Sequence, residues 1–330
     1  MTSSRPPSLR ELNRTLLLRQ GLLAREQASV EEMALRLVAL QAQWAPSAYV
    51  ALWSRLVAVD KADVTALVKA TTLRTTLHVQ SHALFPSLVS AWIESGRGRA
   101  ENRGYDVAAL RRGIARRPLQ PSEPEQIVAR VIGSDERWDV AFALRTLPFV
   151  RVGGVGAWPH TKPPPVELWR GRLPDPGEAA VRVVRAVVAA YGPMMRDEIE
   201  RFTGFRIRQI APALDGLDER DGVYDVPGAP RASEREHAPV RFLPAFDSML
   251  LAHLYNGRII APEYVDAVYN RKNAMCKSAF TVDGFVAGTW RVDRQKLVVE
   301  PFGPLPAKWR REVDAEGQRL LAWWLDREEG

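Results

Sequence analysis

Apolar residues return at helical spacing along most of residues 8–217, interrupted by short β-branched runs. In 8–20, Leu12, Leu16, Leu17 and Leu18 lie near one face behind Ser8, a good N-cap residue. Ser29 and Glu32 have capping-box spacing, and Met33, Leu35, Leu37, Val38 and Leu40 fill one side of the helix they open, which is expected to end near Leu40. Further helices are predicted over 48–57 and 61–70, followed by a short strand at 75–79.

The same order of helices and then strands recurs. Helical patterns at 106–115, 124–132 and 138–144 precede 149–152, which is expected to pair with 155–158 across Gly153-Gly154. A third set, at 178–190, 195–202 and 207–217, is closed by a strand at 223–226 after Asp221-Gly222. Three helices plus a β-hairpin is the winged-helix plan, a variant of helix-turn-helix. The chain is therefore expected to be mainly α with β-hairpin wings, in three tandem units at 8–80, 104–172 and 177–230. Residues 236–330 read differently. A strand at 240–243, two arms at 279–282 and 285–292 around Asp283-Gly284, a third strand at 297–300 and a helix at 308–324 predict a small α+β domain. Pro163-Pro164-Pro165 and Pro227-Gly228-Ala229-Pro230 read as linkers.

One segment breaks the helical pattern in a chemically suggestive way. Gln41 and Gln43 stand two residues apart between the second helix and Pro46. A helix would send them to nearly opposite faces, whereas an extended segment sends both to the same side. Two adjacent neutral amides can hold and orient a water molecule with donors and acceptors together. The plain alternative is a pair of surface amides near a helix end, since the chain has ten Gln.

Net charge of +7 suggests an anionic partner, nucleic acid first. Only seven of the 46 basic residues are Lys, an Arg-rich bias that GC-rich genomes give to proteins of every function. The single Cys276 excludes internal disulfides, and no 18-residue uncharged apolar run or signal-peptide core is present, so a cytoplasmic protein without a membrane span is expected. His78 and His82 have i,i+4 spacing, but their segment reads as strand then loop, and a metal site is not expected. Phosphate-binding glycine loops and Ser-His-Asp sets are not found, and no cofactor is implied.

Four blocks in order resemble the AlkZ/YcaQ-type winged-helix DNA glycosylases. They are Gln41-Ala42-Gln43 with the segment that runs on to Leu56, Arg74-Thr75-Thr76-Leu77-His78, Pro244-Ala245-Phe246-Asp247-Ser248-Met249-Leu250-Leu251, and Asp283-Gly284-Phe285-Val286-Ala287-Gly288-Thr289-Trp290. Thr75 departs from the family pattern, which has Gly there. The resemblance implies a C-shaped molecule acting on double-stranded DNA with alkylated purines, and catalysis by Gln41 and Gln43. Family members with Gln at both positions resemble enzymes that excise N7-alkylguanines and unhook interstrand crosslinks; others carry Gln-x-Asp. The implied role is alkylation repair or self-resistance to a DNA-alkylating metabolite. His78 and Asp247 are implied as site-supporting residues, although Asp247 is also placed to cap the next helix.

Chemistry fits this subgroup. An N7-alkylated guanine is already cationic and leaves without a proton from the enzyme, so the catalyst has only to stabilise positive charge near C1′ and place a water. The nearest Lys in sequence is Lys61, so hydrolysis without strand nicking is expected. Arg97, Arg99, Arg103, Arg111, Arg112, Arg116 and Arg117 form a basic stretch that reads either as phosphate contacts or as a solvated face. Arg258, Arg271, Lys272 and Lys277 flank the C-terminal hairpin, whose Phe285 reads either as a minor-groove wedge or as core. No obligate protein partner is implied. The competing reading is a non-enzymatic winged-helix transcriptional regulator, in which Gln41 and Gln43 only pack.

Overall fold

A computed structural model describes residues 6–101, 104–114, 116–120, 122–144, 146–152 and 165–326. Helix α1 (Leu9–Arg19) is capped by Ser8, which accepts from the Glu11 amide, and α2 (Val30–Arg36) opens with the Ser29/Glu32 capping box. Helix α2 stops at Arg36, short of Leu40. Val38 adopts a left-handed φ of 69°, and the chain enters strand β1 (Leu40–Gln41). The run of apolar residues that suggested a longer helix is divided between two cores. Leu37 and Leu40 pack within the first unit, while Val38 points into a second cluster around the third unit.

Helices α3 (Ser47–Arg55) and α4 (Lys61–Ala66) follow, then strands β2 (Val68–Thr71) and β3 (Leu77–Gln80). Residues 68–70, expected as helix, are strand because β2 pairs on both sides. Helix α5 (Phe85–Glu101) then packs along a later helix of the third unit. The second unit holds α6 (Val107–Gly113), α7 (Glu123–Ile132), α8 (Arg137–Leu144), β4 (Phe149–Arg151) and β5 (Val166–Leu168). Strand β4 pairs with β5, and the expected arm at 155–158 lies outside the described residues. Because β4 also pairs with β2, the first two units share one sheet in the order β1-β3-β2-β4-β5.

The third unit contains α9 (Pro176–Tyr191), β6 (Met194–Met195), α10 (Arg196–Thr203), α11 (Ile207–Leu214), β7 (Asp218–Arg220) and β8 (Val223–Asp225), with sheet order β6-β8-β7. Asp221 and Gly222 both have positive φ, as a two-residue hairpin turn requires. The C-terminal region comprises β9 (Arg241–Leu243), α12 (Ser248–Ala252), α13 (Val265–Val268), β10 (Tyr269–Asn270), β11 (Met275–Cys276), β12 (Ala279–Val282), β13 (Phe285–Asp293), β14 (Lys296–Pro301) and α14 (Ala307–Leu325). Its main sheet runs β14-β13-β12-β9, with β10 and β11 forming a small separate hairpin.

Helix α9 is the hub of the largest core. Its Val183, Val184, Val187 and Val188 are fully buried, and it packs against α1, α5, α10 and α11. A second core fills the first unit, and a third joins α3 to the C-terminal sheet through Val50, Trp53, Phe242, Phe280, Trp290 and Leu320. The second unit has its own small core of Leu110, Ile114, Leu119, Val128, Ala143 and Leu168. Within the described residues, no helix is long and apolar enough to cross a membrane.

Candidate active site

Gln41 ends the short edge strand β1, and Gln43 lies in the bend that follows it. Gln41 lies opposite His78, and the Ala42 amide donates to the Leu77 carbonyl at 2.8 Å. This extended backbone brings the two side chains together, and Gln41 Nε2 donates to Gln43 Oε1 at 2.7 Å. Gln41 is buried, while Gln43 is exposed. The C-terminal region fixes the segment from both ends. The Ser248 hydroxyl donates to the Ala39 carbonyl at 2.8 Å, and the Ser47 hydroxyl donates to the Ala245 carbonyl at 2.6 Å. Trp44 stacks on Trp324 at 5.8 Å and meets the edge of Trp290 at 6.4 Å, so α14 and the C-terminal sheet set where Gln43 stands.

Cross-strand partners share a sheet face, so Gln41, His78 and Ala70 point one way. Lys69, opposite Val79, points the other way and lies over the Tyr49 ring at 5.9 Å. The nearest lysine on this sheet is thus turned from the amides. His78 is buried, with Nδ1 2.9 Å from the Thr76 carbonyl, which assigns that nitrogen as the donor. Burial, reinforced by the Arg74 guanidinium, pushes its pKa down to about 3. At physiological pH it is a neutral imidazole and supplies no acid. Arg74 also reaches the amides, its Nη2 donating to Gln41 Oε1 at 3.0 Å.

The sequence profile of the AlkZ-like DNA glycosylases matches residues 34–323, nearly nine tenths of the chain. The chain belongs to the AlkZ-like DNA glycosylase family. A curated relative, the interstrand DNA cross-link repair glycosylase of Streptomyces sahachiroi, is 32% identical over 40% of this chain and 39% of its own length. The match therefore spans about two fifths of that relative. The solved structure of Streptomyces sahachiroi DNA glycosylase AlkZ superposes with a TM-score of 0.76 at 23% identity, covering 96% of this chain and 98% of that one. The mixed α/β fold of AlkZ thus extends over the whole of this AlkZ-like chain.

Other predicted residues fall in varied places. Asp247 is buried. Its carboxylate makes a bidentate pair with Arg55 at 2.9 and 3.0 Å, both side chains being 1% exposed, and it caps α12 through the Met249 amide. It lies on the same 245–248 segment that clamps the amide strand. Arg258, expected near DNA, is buried, and its guanidinium donates to the Pro193 carbonyl at 2.8 Å. That arginine holds the interior and is withdrawn as a phosphate contact. The Asp283-Gly284 turn is likewise sealed onto α1. Asn13 donates to the Gly284 carbonyl at 2.8 Å, and any Cβ at Gly284 would come within 2.4 Å of Asn13 Oδ1. Phe285, half-buried beside that turn, does not stand at a free hairpin tip as the groove-wedge reading required.

Arg271 and Lys272 are exposed at the β10–β11 turn, Arg271 pairing with Asp266 at 3.1 Å. Arg97 and Arg99 fall on α5, and Arg103 lies outside the described residues. Arg111, Arg112 and Arg116 line a concavity of about 460 Å³ together with Ile114 and Arg170. Arg170 had no signal in the sequence, because β5 brings it back beside α6 from more than fifty residues away. Arg74 was visible only as part of a family-like block; nothing in its spacing linked it to Gln41. Among the described residues no group of His, Cys, Asp and Glu is arranged to hold a metal ion.

Proposed function

We propose that this protein is a monofunctional DNA glycosylase for cationic N7-alkylpurines, including those that form interstrand crosslinks. The observation that carries the reading is the Gln41–Gln43 amide pair, hydrogen-bonded at 2.7 Å where strand β1 ends, in a chain of the AlkZ-like family. The name of the Streptomyces sahachiroi relative supports the crosslink substrate.

In this reading the C1′–N9 bond breaks and its electron pair neutralises the cationic base. A water held by the amides adds to C1′ and passes its proton to solvent, leaving free alkylpurine and an abasic site. Amide oxygens stabilise the developing oxocarbenium charge, and the amides orient the water. Neutral His78 and the averted Lys69 fit a site without general acid or Schiff base. Arg111, Arg112, Arg116, Arg170, Arg271 and Lys272 are the phosphate contacts we assign.

We also infer that the three units, at 8–80, 104–172 and 177–230, are winged helices in tandem. Helix, short strand, two helices and two strands follow one another in α2–β3 and again in α9–β8. In both, the last strand lies in the middle of its three-stranded set, β1-β3-β2 and β6-β8-β7.

The test is release of 7-methylguanine from methylated duplex DNA by wild type, Gln41→Ala and Gln43→Ala, each first shown folded and able to bind DNA. We expect each substitution to slow release by about 100-fold, the usual cost of one catalytic hydrogen-bonding group. A crosslinked duplex is the next substrate. Wild-type protein that binds DNA and releases no base from either substrate overturns the reading in favour of a regulator.

A further inference from the structure

Arg74 has no role in the mechanism above, yet its side chain joins the amide pair to the third unit. Its Nη2 donates to Gln41 Oε1 at 3.0 Å, and its Nη1 donates to the carbonyl of Phe202 in the last turn of α10. The guanidinium lies over the Phe202 ring, 4.9 Å from its centroid. The final carbonyls of a helix lack intrahelical partners and carry the negative end of its dipole, so the end of α10 is a natural seat for a cation. Gly204 ends α10 with a φ of 71° and brings that end against the backbone of Arg74, which is itself left-handed at φ 55°. Burial lowers the guanidinium pKa to about 10, which leaves it charged at neutral pH.

A glutamine amide can turn over, exchanging its oxygen and its amino group. Arginine offers donors only. Next to Arg74, Gln41 must therefore present its oxygen to the guanidinium and its amino group to Gln43. Gln43 must in turn present its oxygen to Gln41, as the 2.7 Å contact has it. Donation then runs one way, from guanidinium to buried amide to exposed amide, and each bond polarises the next. Gln43 keeps both amino protons and one oxygen lone pair for whatever enters from solvent, and Gln41 keeps one amino proton.

The geometry points to Arg74 as the positioning residue that, through Gln41, sets which end of the Gln43 amide faces the reacting sugar and water. Resting on the glycosylase reading, this makes Gln43 the amide that meets substrate and Gln41 the relay that orients it. The third unit thereby completes a site whose amides belong to the first.

The experiment uses the full chain in two arms. The first measures single-turnover release of 7-methylguanine at saturating methylated duplex for wild type, Arg74→Met, Arg74→Lys, Gln41→Ala and the double variant Arg74→Met with Gln41→Ala. Arg74→Met keeps length and removes every donor. It is expected to slow release about tenfold, the kinetic equivalent of one charge-assisted hydrogen bond, with the DNA dissociation constant unchanged within about twofold. Arg74→Lys keeps a cation with N–H donors and should recover most of that rate. In the Gln41→Ala background, Arg74→Met should have no further effect, because the residue through which it acts is gone. Equal losses in both backgrounds, or weaker DNA binding with an unchanged saturated rate, overturn the proposal.

The second arm needs no activity. In protein labelled with ¹⁵N-glutamine, the Gln41 side-chain amide is identified by its loss in Gln41→Ala. Its resonances should shift in Arg74→Met, and also in Arg74→Lys should the Met variant fail to fold. Unshifted resonances refute the contact. Absence of base release by wild type with the shift present would instead remove the glycosylase reading and leave the amide orientation standing.

Discussion

The first and second units share one sheet but are built in different ways. In the first, Gln41 and Gln43 are gripped by three parts of the chain. The 245–248 segment holds the Ala39 carbonyl on one side and the Ser47 hydroxyl on the other, Trp324 of α14 stacks on Trp44, and the end of α10 seats Arg74. The second unit is held to the first by the β4–β2 pairing and closes its own small core. The arginines around its concavity include exposed Arg112, Arg116 and Arg170. Chemistry at C1′ depends on positions good to a fraction of an ångström, which buried hydrogen bonds supply. Attraction to a phosphate depends on charge within a few ångströms, which a mobile side chain supplies as well. Distance from the amides in sequence is therefore no guide to which residues set the site.

The sharpest way to break this contrast is to remove the grip. Asp247 and Arg55 form a pair with both side chains 1% exposed, and Arg55 also donates to the Gln20 amide oxygen at 3.2 Å. Asp247→Ala leaves a buried guanidinium uncompensated and is expected to cost about 3–5 kcal/mol of unfolding free energy in a urea titration. Asp247→Asn keeps the cap on α12 and should cost less. A loss below about 1 kcal/mol for Asp247→Ala would mean that the C-terminal segment is not what holds the amide strand.

A smaller effect comes from His78 beneath the amides. Its imidazole titrates at about 3 in the fold and, by its ordinary value, near 6.5 when unfolded. Between these values the unfolded chain binds one more proton than the folded one, so stability is full above the upper value and falls as pH drops toward the lower one. The slope from this one group is at most about 1.4 kcal/mol per pH unit. His78→Asn, whose amide can replace the Nδ1 donor to Thr76, should flatten the acid limb of stability by that amount while leaving stability above pH 7 little changed. Identical acid limbs would show that the ring is not excluded from water.

Much of this was legible in the chain, and the misses share a cause. Local rules gave the Ser29/Glu32 capping box, the Asp221-Gly222 and Asp283-Gly284 turns and the extended geometry at Gln41, because each depends on residues within a few positions. The 17-residue helix α5 leaves no clear periodic signal, because its apolar face is interrupted by Ser and Gly and completed by α9. Periodicity predicts too long an α2 because it continues through Val38, where the backbone turns left-handed to serve two cores. Charge and turn type alone predict that Arg258 and the Asp283-Gly284 turn face outward, and only tertiary packing against Pro193 and α1 turns them inward. Arg74 is the reverse case, since the carbonyl that seats it lies 128 residues away.

The smallest expected effect is the one that separates the two units most cleanly. Arg112 is largely exposed, its side chain 71% accessible and only 3.6 Å from Asp106, and Arg116 is exposed beside it. If each meets one phosphate, the double variant Arg112→Ala with Arg116→Ala should reduce the slope of log affinity against log salt by about 1.8, at 0.9 per phosphate. At low salt the loss of affinity should be modest, and release of 7-methylguanine at saturating DNA should be unchanged, because neither side chain touches the amides. Gln41→Ala should do the reverse, slowing release while the salt slope stays as in wild type. A slope that does not move in the arginine variant would leave the concavity as a solvated face. A slope that falls together with the saturated rate would mean that the second unit also positions the reacting base, and the division between gripping and attracting would no longer follow the units.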